Sequence, residues 1–284
     1  MKQLACIVFI LTAFANNSKA QNVNYSPAFF GPNANTVAEF SGAIIPEFTT
    51  VEVLGSYFFG FGDQTINPEL KIEIPLLPQR ISLKLWVALW EKYTVSQELY
   101  DERQMFGKLS GSTNGGDIYV QTRISVLAEK KYLPAVIFNA TLKTATGEAF
   151  KERRYFNTPG YYFDGEIAKS FRFKNKIISD IRIATDLGFL CWETTNSSQN
   201  DAFMYGGKFV LSNKIIAFEN TLAGYKGRIK NGDNPLVYST KLTGKYKIFS
   251  FFVQYKYGIR NWNYHHLQAG FSVGIQKLTP KYKM

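Results

Sequence analysis

Side chains that alternate between apolar and polar point to opposite faces of a strand, and this chain keeps that period of two over long stretches. Over 266–278, Leu267, Ala269, Phe271, Val273 and Ile275 are apolar, while Gln268, Gly270, Ser272, Gly274 and Gln276 are small or polar. The preceding segment repeats the pattern, with Phe249, Phe251, Val253, Tyr255, Tyr257 and Ile259 on one face and Ser250, Gln254, Lys256 and Arg260 on the other. Phe252 breaks it. The same template predicts twelve strands near 51–60, 69–77, 80–93, 117–129, 133–144, 161–172, 179–192, 202–212, 214–226, 235–246, 248–260 and 265–278.

Strands of this length match those that cross a bilayer at a tilt and are about twice as long as a typical strand of a soluble protein. The connections alternate as well. Those near 78–79, 130–132, 174–178, 213 and 247 are short, whereas 94–116, 145–160, 193–201 and 226–234 are longer. Short turns on one side and long loops on the other are the rhythm of an outer-membrane barrel. Lipid offers no partner for backbone polar groups, so the strands must close on themselves. The expected fold is all-β: a transmembrane antiparallel up-and-down β-barrel of about twelve strands, both termini on the periplasmic side. A soluble β-sandwich also alternates, but its outer faces should be charged, and here one face is nearly continuous Leu, Ile, Val, Phe and Tyr.

The first residues change the picture of where the chain goes. Met1-Lys2-Gln3 precedes an apolar run ending near Phe14, and Ser18-Lys19-Ala20 precedes Gln21, the layout of a cleavable secretory signal over 1–20. Cys6 leaves with that signal and only Cys191 stays, so no internal disulfide framework is expected. Residues 21–48 carry Pro27, Pro32 and Pro46 and do not join the strand scheme; they are expected to be a periplasmic extension or a partial plug, with the barrel over 49–284.

If the apolar face meets lipid, the polar face points inward, and it is charged and mostly basic. Candidate lumen residues along a solute path are Lys84, Trp86, Trp90, Arg123, Lys143, Arg182, Lys208, Lys241, Lys245, Lys256 and Arg260. Two readings stay open: a lumen closed by ion pairs, or a narrow water-filled path favouring small anionic solutes. The formal charge of +11 falls by two without Lys2 and Lys19. Positive residues near the outer rim would suit lipopolysaccharide phosphates, alongside contact with outer-membrane lipid. Nucleic acid is not an expected partner, since the signal directs the chain away from it. Clusters such as Tyr57-Phe58-Phe59 and Tyr161-Tyr162-Phe163 fit aromatic girdles at the headgroup level.

The runner-up function is a lipid-modifying enzyme of the outer membrane, a phospholipase or a lipid A hydrolase. Its residues are scarce: the only histidines are His265 and His266, with Ser239 and Ser272 as inward hydroxyls on nearby strands. No catalytic set stands out, no metal-ligand spacing is present and no cofactor is implied. Gly60-Phe61-Gly62-Asp63 lacks the lysine and helix of a phosphate loop and reads as a turn.

Three segments resemble a group of outer-membrane barrel proteins common in Bacteroidota: Phe59-Gly60-Phe61-Gly62-Asp63, Leu142-Lys143-Thr144-Ala145-Thr146-Gly147, and the run from Arg154-Tyr155-Phe156-Asn157-Thr158-Pro159 through Gly160-Tyr161-Tyr162-Phe163-Asp164. The resemblance covers roughly 30 to 175 and implies location and fold. The build is also similar, in architecture only, to twelve-stranded nucleoside channels and to outer-membrane phospholipase A. Unlike the usual barrel, the chain continues past its last strand to Met284.

Overall fold

The computed structural model describes residues 26–174, 177–193, 201–228 and 230–281. The expected signal over 1–20, residues 21–25 of the expected extension or plug, and residues 194–200 lie outside them. Fourteen strands are found among the described residues, β1 (Thr49–Phe59), β2 (Asp63–Leu77), β3 (Ile81–Ala88), β4 (Glu91–Val95), β5 (Ser110–Thr113), β6 (Tyr119–Leu127), β7 (Ala135–Lys143), β8 (Gly160–Arg172), β9 (Asp180–Trp192), β10 (Asp201–Ser212), β11 (Ile216–Gly227), β12 (Leu236–Tyr246), β13 (Phe249–Arg260) and β14 (His265–Ile275). Twelve of them form one ring of antiparallel neighbours. The ring closes where β1 pairs with β14 along its whole length, from Thr49 opposite Ile275 to Phe59 opposite His265. Closure leaves no unpaired edge, which is what a bilayer demands of a sheet.

The polarity of the wall is inverted relative to a soluble protein. Val253 and Phe251 expose 59% and 58% of their surfaces on the outside, while Asn67, Ser82, Arg123, Asn139 and Glu166 are buried inside. On β14 the alternation holds residue by residue, Leu267 and Phe271 out, His266 and Gln268 in. Phe252, the misfit of the pattern, points inward and is buried. Its place is made by Gly270, directly across the pair; a Cβ on Gly270 would stand 2.9 Å from the Phe252 ring.

β4 and β5 are the addition the pattern did not predict. β4 pairs with the first residues of β2, and β5 with β4, so they prolong the wall beyond the ring at the end that carries the long loops. A short helix, α1 (Gln97–Glu102), capped by the Ser96 side chain, follows β4. Inward residues are even-numbered in β3 and odd-numbered in β4; the extra residue between them is a bulge that turns both Leu89 and Trp90 outward. Trp90 is therefore not a lumen residue. It borders an apolar groove on the outer wall with Tyr57, Ile66 and Leu267.

Residues 26–48 pass through the ring. Gly31 donates its N–H to the Arg153 carbonyl at the loop end, Glu39 lies between Lys71 of β2 and Lys256 of β13, and the carbonyls of Gly42 and Ala43 accept from Arg182 near the short-turn end. Contacts with opposite walls place the segment inside. Room for it comes from small side chains: Phe40, Ala43 and Ile45 pack on Ala135, Ala168, Ala184 and Ala223, and a Cβ on Gly206 would lie 2.5 Å from the Phe40 ring.

Candidate functional site

Two internal spaces flank the threaded segment. The larger, about 280 Å³, lies between residues 37–41 and the walls built by β1, β2, β3 and β10 to β13. Five lysines (Lys71, Lys84, Lys208, Lys241, Lys256) and four glutamates (Glu39, Glu52, Glu73, Glu219) line it. The smaller, about 100 Å³, continues toward the loop end along Trp86, Tyr162, Trp262 and His266 and shares Glu39, Lys71, Lys84 and Lys256 with the first. Glu39 stands inside the ring and yet exposes 43% of its side chain, so the chamber has room for water against this carboxylate.

Most of these charges are matched. Lys71 reaches Glu39 at 3.4 Å and Glu52 at 3.7 Å, Lys208 reaches Glu219 at 3.4 Å and the Phe40 carbonyl, and Lys256 pairs with Glu39. Glu73 is engaged by Arg123 at 2.7 Å and by the Ser82 hydroxyl at 2.6 Å. Neither Lys84 nor Lys241 forms an ion pair among the described residues. Each rests on an aromatic face instead, Lys84 over Trp86 at 5.4 Å and Lys241 over Phe252 at 3.9 Å. They approach from β3 and β12, on well-separated sides of the ring, and give the chamber its surplus of positive charge.

The remaining predicted residues are dispersed. Arg123 and Arg182 grip the threaded segment: Arg123 bonds the Ser41 hydroxyl, and Arg182 ties Gly42 and Ala43 to Glu129 at 2.6 Å. Lys143 is fully buried at the loop end, 2.7 Å from Asp117 and 4.1 Å from the Phe156 ring centre, and faces no solute path. Lys245 is exposed near the turn end and lines neither space. Arg260 is exposed at the loop end, bonded to the Asn234 carbonyl.

Loops that carry no period supply a second cluster, which closes the loop end. Asp63 Oδ2 accepts from Arg103 at 2.7 Å, Arg154 at 2.8 Å and the Tyr264 hydroxyl at 2.9 Å. Arg154 also donates to Glu91 at 2.6 Å and to the Thr65 hydroxyl at 2.6 Å. Asn33 of the threaded segment donates to the second Glu91 oxygen at 2.6 Å and to Asn67 at 3.1 Å. Burial works against the charge on Arg154, but Asp63 and Glu91 outweigh it and hold the guanidinium above its ordinary pKa. Asp63 sits at the end of the turn over 60–63, where Gly60 and Gly62 adopt φ of +95° and +83°. Nothing in the alternation singled out Arg103, Glu91 or Glu39; the available signal was that Glu39 is the lone charge between Gln21 and Pro46, facing a basic lumen.

The groups considered for lipid chemistry do not assemble. His266 stacks on Phe58 at 3.7 Å and its ring nitrogens have no hydrogen-bond partner among the described residues, while His265 bonds the Tyr255 hydroxyl at 2.8 Å. Ser239 lines the larger chamber, opposite Lys256 in the strand register; Ser272 pairs with Glu52 and Ser250. Among the described residues no group of three or more His, Cys, Asp or Glu side chains is placed to hold a metal ion.

No family model and no curated protein matches the chain. Solved structures of outer-membrane barrels do. An outer-membrane channel from Pseudomonas putida F1 matches at a TM-score of 0.59 and 11% identity over 84% of this chain and 100% of that one. The NanC porin matches at 0.47 and 11% identity, over 79% of this chain and 100% of its own. The KdgM porin, solved in complex with disordered oligogalacturonate, matches at 0.46 and 9% identity, over 79% and 99%. At such identities the likeness is one of fold: a closed twelve-stranded β-barrel of the outer-membrane kind.

Proposed function

We propose that this chain is a bacterial outer-membrane channel for small hydrophilic solutes, biased toward anions, whose lumen is occluded in this state by its own residues 26–48. The observation that carries the reading is the hydratable chamber of about 280 Å³ inside the ring, where Lys84 and Lys241 form no ion pair among the described residues because the glutamates across from them, Glu73 and Glu219, are engaged by Arg123 and Lys208. Small-residue packing around Phe40 and the charged contacts of Glu39 hold the segment in the lumen through noncovalent contacts, its covalent tie to the wall being at β1. It therefore acts as an intrinsic gate, and the chamber beside it as the selectivity site.

Reversal potentials in asymmetric salt across a planar bilayer test the reading. Anion-preferring current from heat-modifiable, folded protein is the expected result. Cation preference in that experiment would refute the selectivity.

A further inference from the structure

At the short-turn end of the barrel exposed cations outnumber the carboxylates beside them. The turn between β2 and β3 exposes Leu77 and Arg80, that between β6 and β7 Lys131 and Tyr132, that between β10 and β11 Lys214 and Ile215, and that between β12 and β13 Lys247 and Ile248. Tyr132 is 83% exposed and Ile215 65%, so these tips carry bare apolar groups far from any core. Two of the lysines lie over exposed tyrosine rings, Lys131 over Tyr132 at 5.1 Å and Lys247 over Tyr246 at 5.3 Å. Carboxylates at this end are mostly committed, Glu129 to Arg182 and Asp180 to Arg172, leaving Glu47 exposed. At the opposite end the exposed cations, from Lys92, Lys108 and Lys151 to those over 226–230 and Arg260, are balanced by a similar number of carboxylates, Glu98, Asp101, Glu102, Glu148 and Glu152 among them.

Apolar tips continuous with the lipid-facing wall place the turns in the membrane interface, where a cation on an apolar stem reaches the phosphate level. We propose that this collar binds anionic phospholipid headgroups of the leaflet that meets the short turns. Its distribution favours lipid over a protein partner: the cation and apolar pairs recur on turns spaced around the ring, flanking the outer wall. The proposal rests on the membrane reading of the barrel and adds a lipid preference to it.

The test uses the full-length folded protein in phosphatidylcholine bilayers containing either spin-labelled phosphatidylglycerol or spin-labelled phosphatidylcholine. The motionally restricted fraction is expected to be about twofold or more larger for phosphatidylglycerol, a gap that narrows with added salt. Combining Arg80→Gln, Lys131→Gln, Lys214→Gln and Lys247→Gln removes the gap, while combining Lys92→Gln, Lys108→Gln and Lys151→Gln at the loop end leaves it. Equal fractions in the wild type, or a gap that survives the turn-end variant, overturn the proposal. Absence of any restricted lipid would overturn the membrane reading as well.

Discussion

Asp63 and Arg154 are 91 positions apart in the chain and meet at 2.8 Å, with both side chains fully buried. Through them the β1–β2 turn, the loop after β7 and, by way of Glu91, the threaded segment become one structure at the loop end. A buried charge is tolerated only while its partner is present. Arg154→Gln takes from Glu91 its ion pair and leaves Asp63 with Arg103 alone, while Asp63→Asn takes from Arg103 its ion pair and leaves Arg154 with Glu91 alone; each is expected to cost about 3–5 kcal/mol of stability. The double variant is expected to cost clearly less than the sum, because the residues share partners. Denaturant unfolding in lipid vesicles measures all three, and full additivity would show that the pair is not coupled.

Phe40 occupies a space that exists because position 206 is glycine and the walls around it are alanine. Phe40→Ala is expected to destabilise the folded protein by about 3–5 kcal/mol, the usual cost of emptying a packed aromatic site. Gly206→Ala, which sets a Cβ against the ring, is expected to cost about 1–3 kcal/mol by overpacking. Unfolding midpoints that match the wild type in both variants would mean that the segment does not pack there.

Lys84 and Lys241 are expected to set selectivity, since the other chamber lysines are neutralised by Glu39, Glu52 and Glu219. Lys84→Glu and Lys241→Glu each lower the anion-to-cation permeability ratio, and together they invert it. Arg260→Glu, which changes an exposed rim charge, leaves the ratio nearly unchanged. Reversal potentials of the variants decide the matter; a ratio that follows Arg260 and not Lys84 would move the selectivity site to the rim.

Much of the barrel was legible because a period of two is a local signal that survives whatever the loops do. Lys84, Lys208, Lys241 and Lys256 were found on the correct face for that reason. Trp90 faces outward because one bulged residue reverses the parity of everything after it, and its mark in the sequence is slight, two adjacent apolar residues at Leu89 and Trp90. Phe252 was an apparent defect until Gly270 across the pair explained it. The loop-end cluster was invisible for a different reason. Asp63, Glu91, Arg103 and Arg154 come from two turns, a short extra strand and a helix end, and only the closed ring brings them together. The path of residues 26–48 depends in the same way on the small side chains of four strands distant in sequence.

Residues 26–48 are proposed to occlude a channel, and the decisive experiment is a pair of single-channel recordings, one of the full-length protein and one of a variant lacking 26–44. With both proteins verified as folded and heat-modifiable, small or rare openings are expected from the full-length protein and stable, larger, anion-preferring steps from the deletion variant. A folded deletion variant as silent as the full-length protein would contradict it.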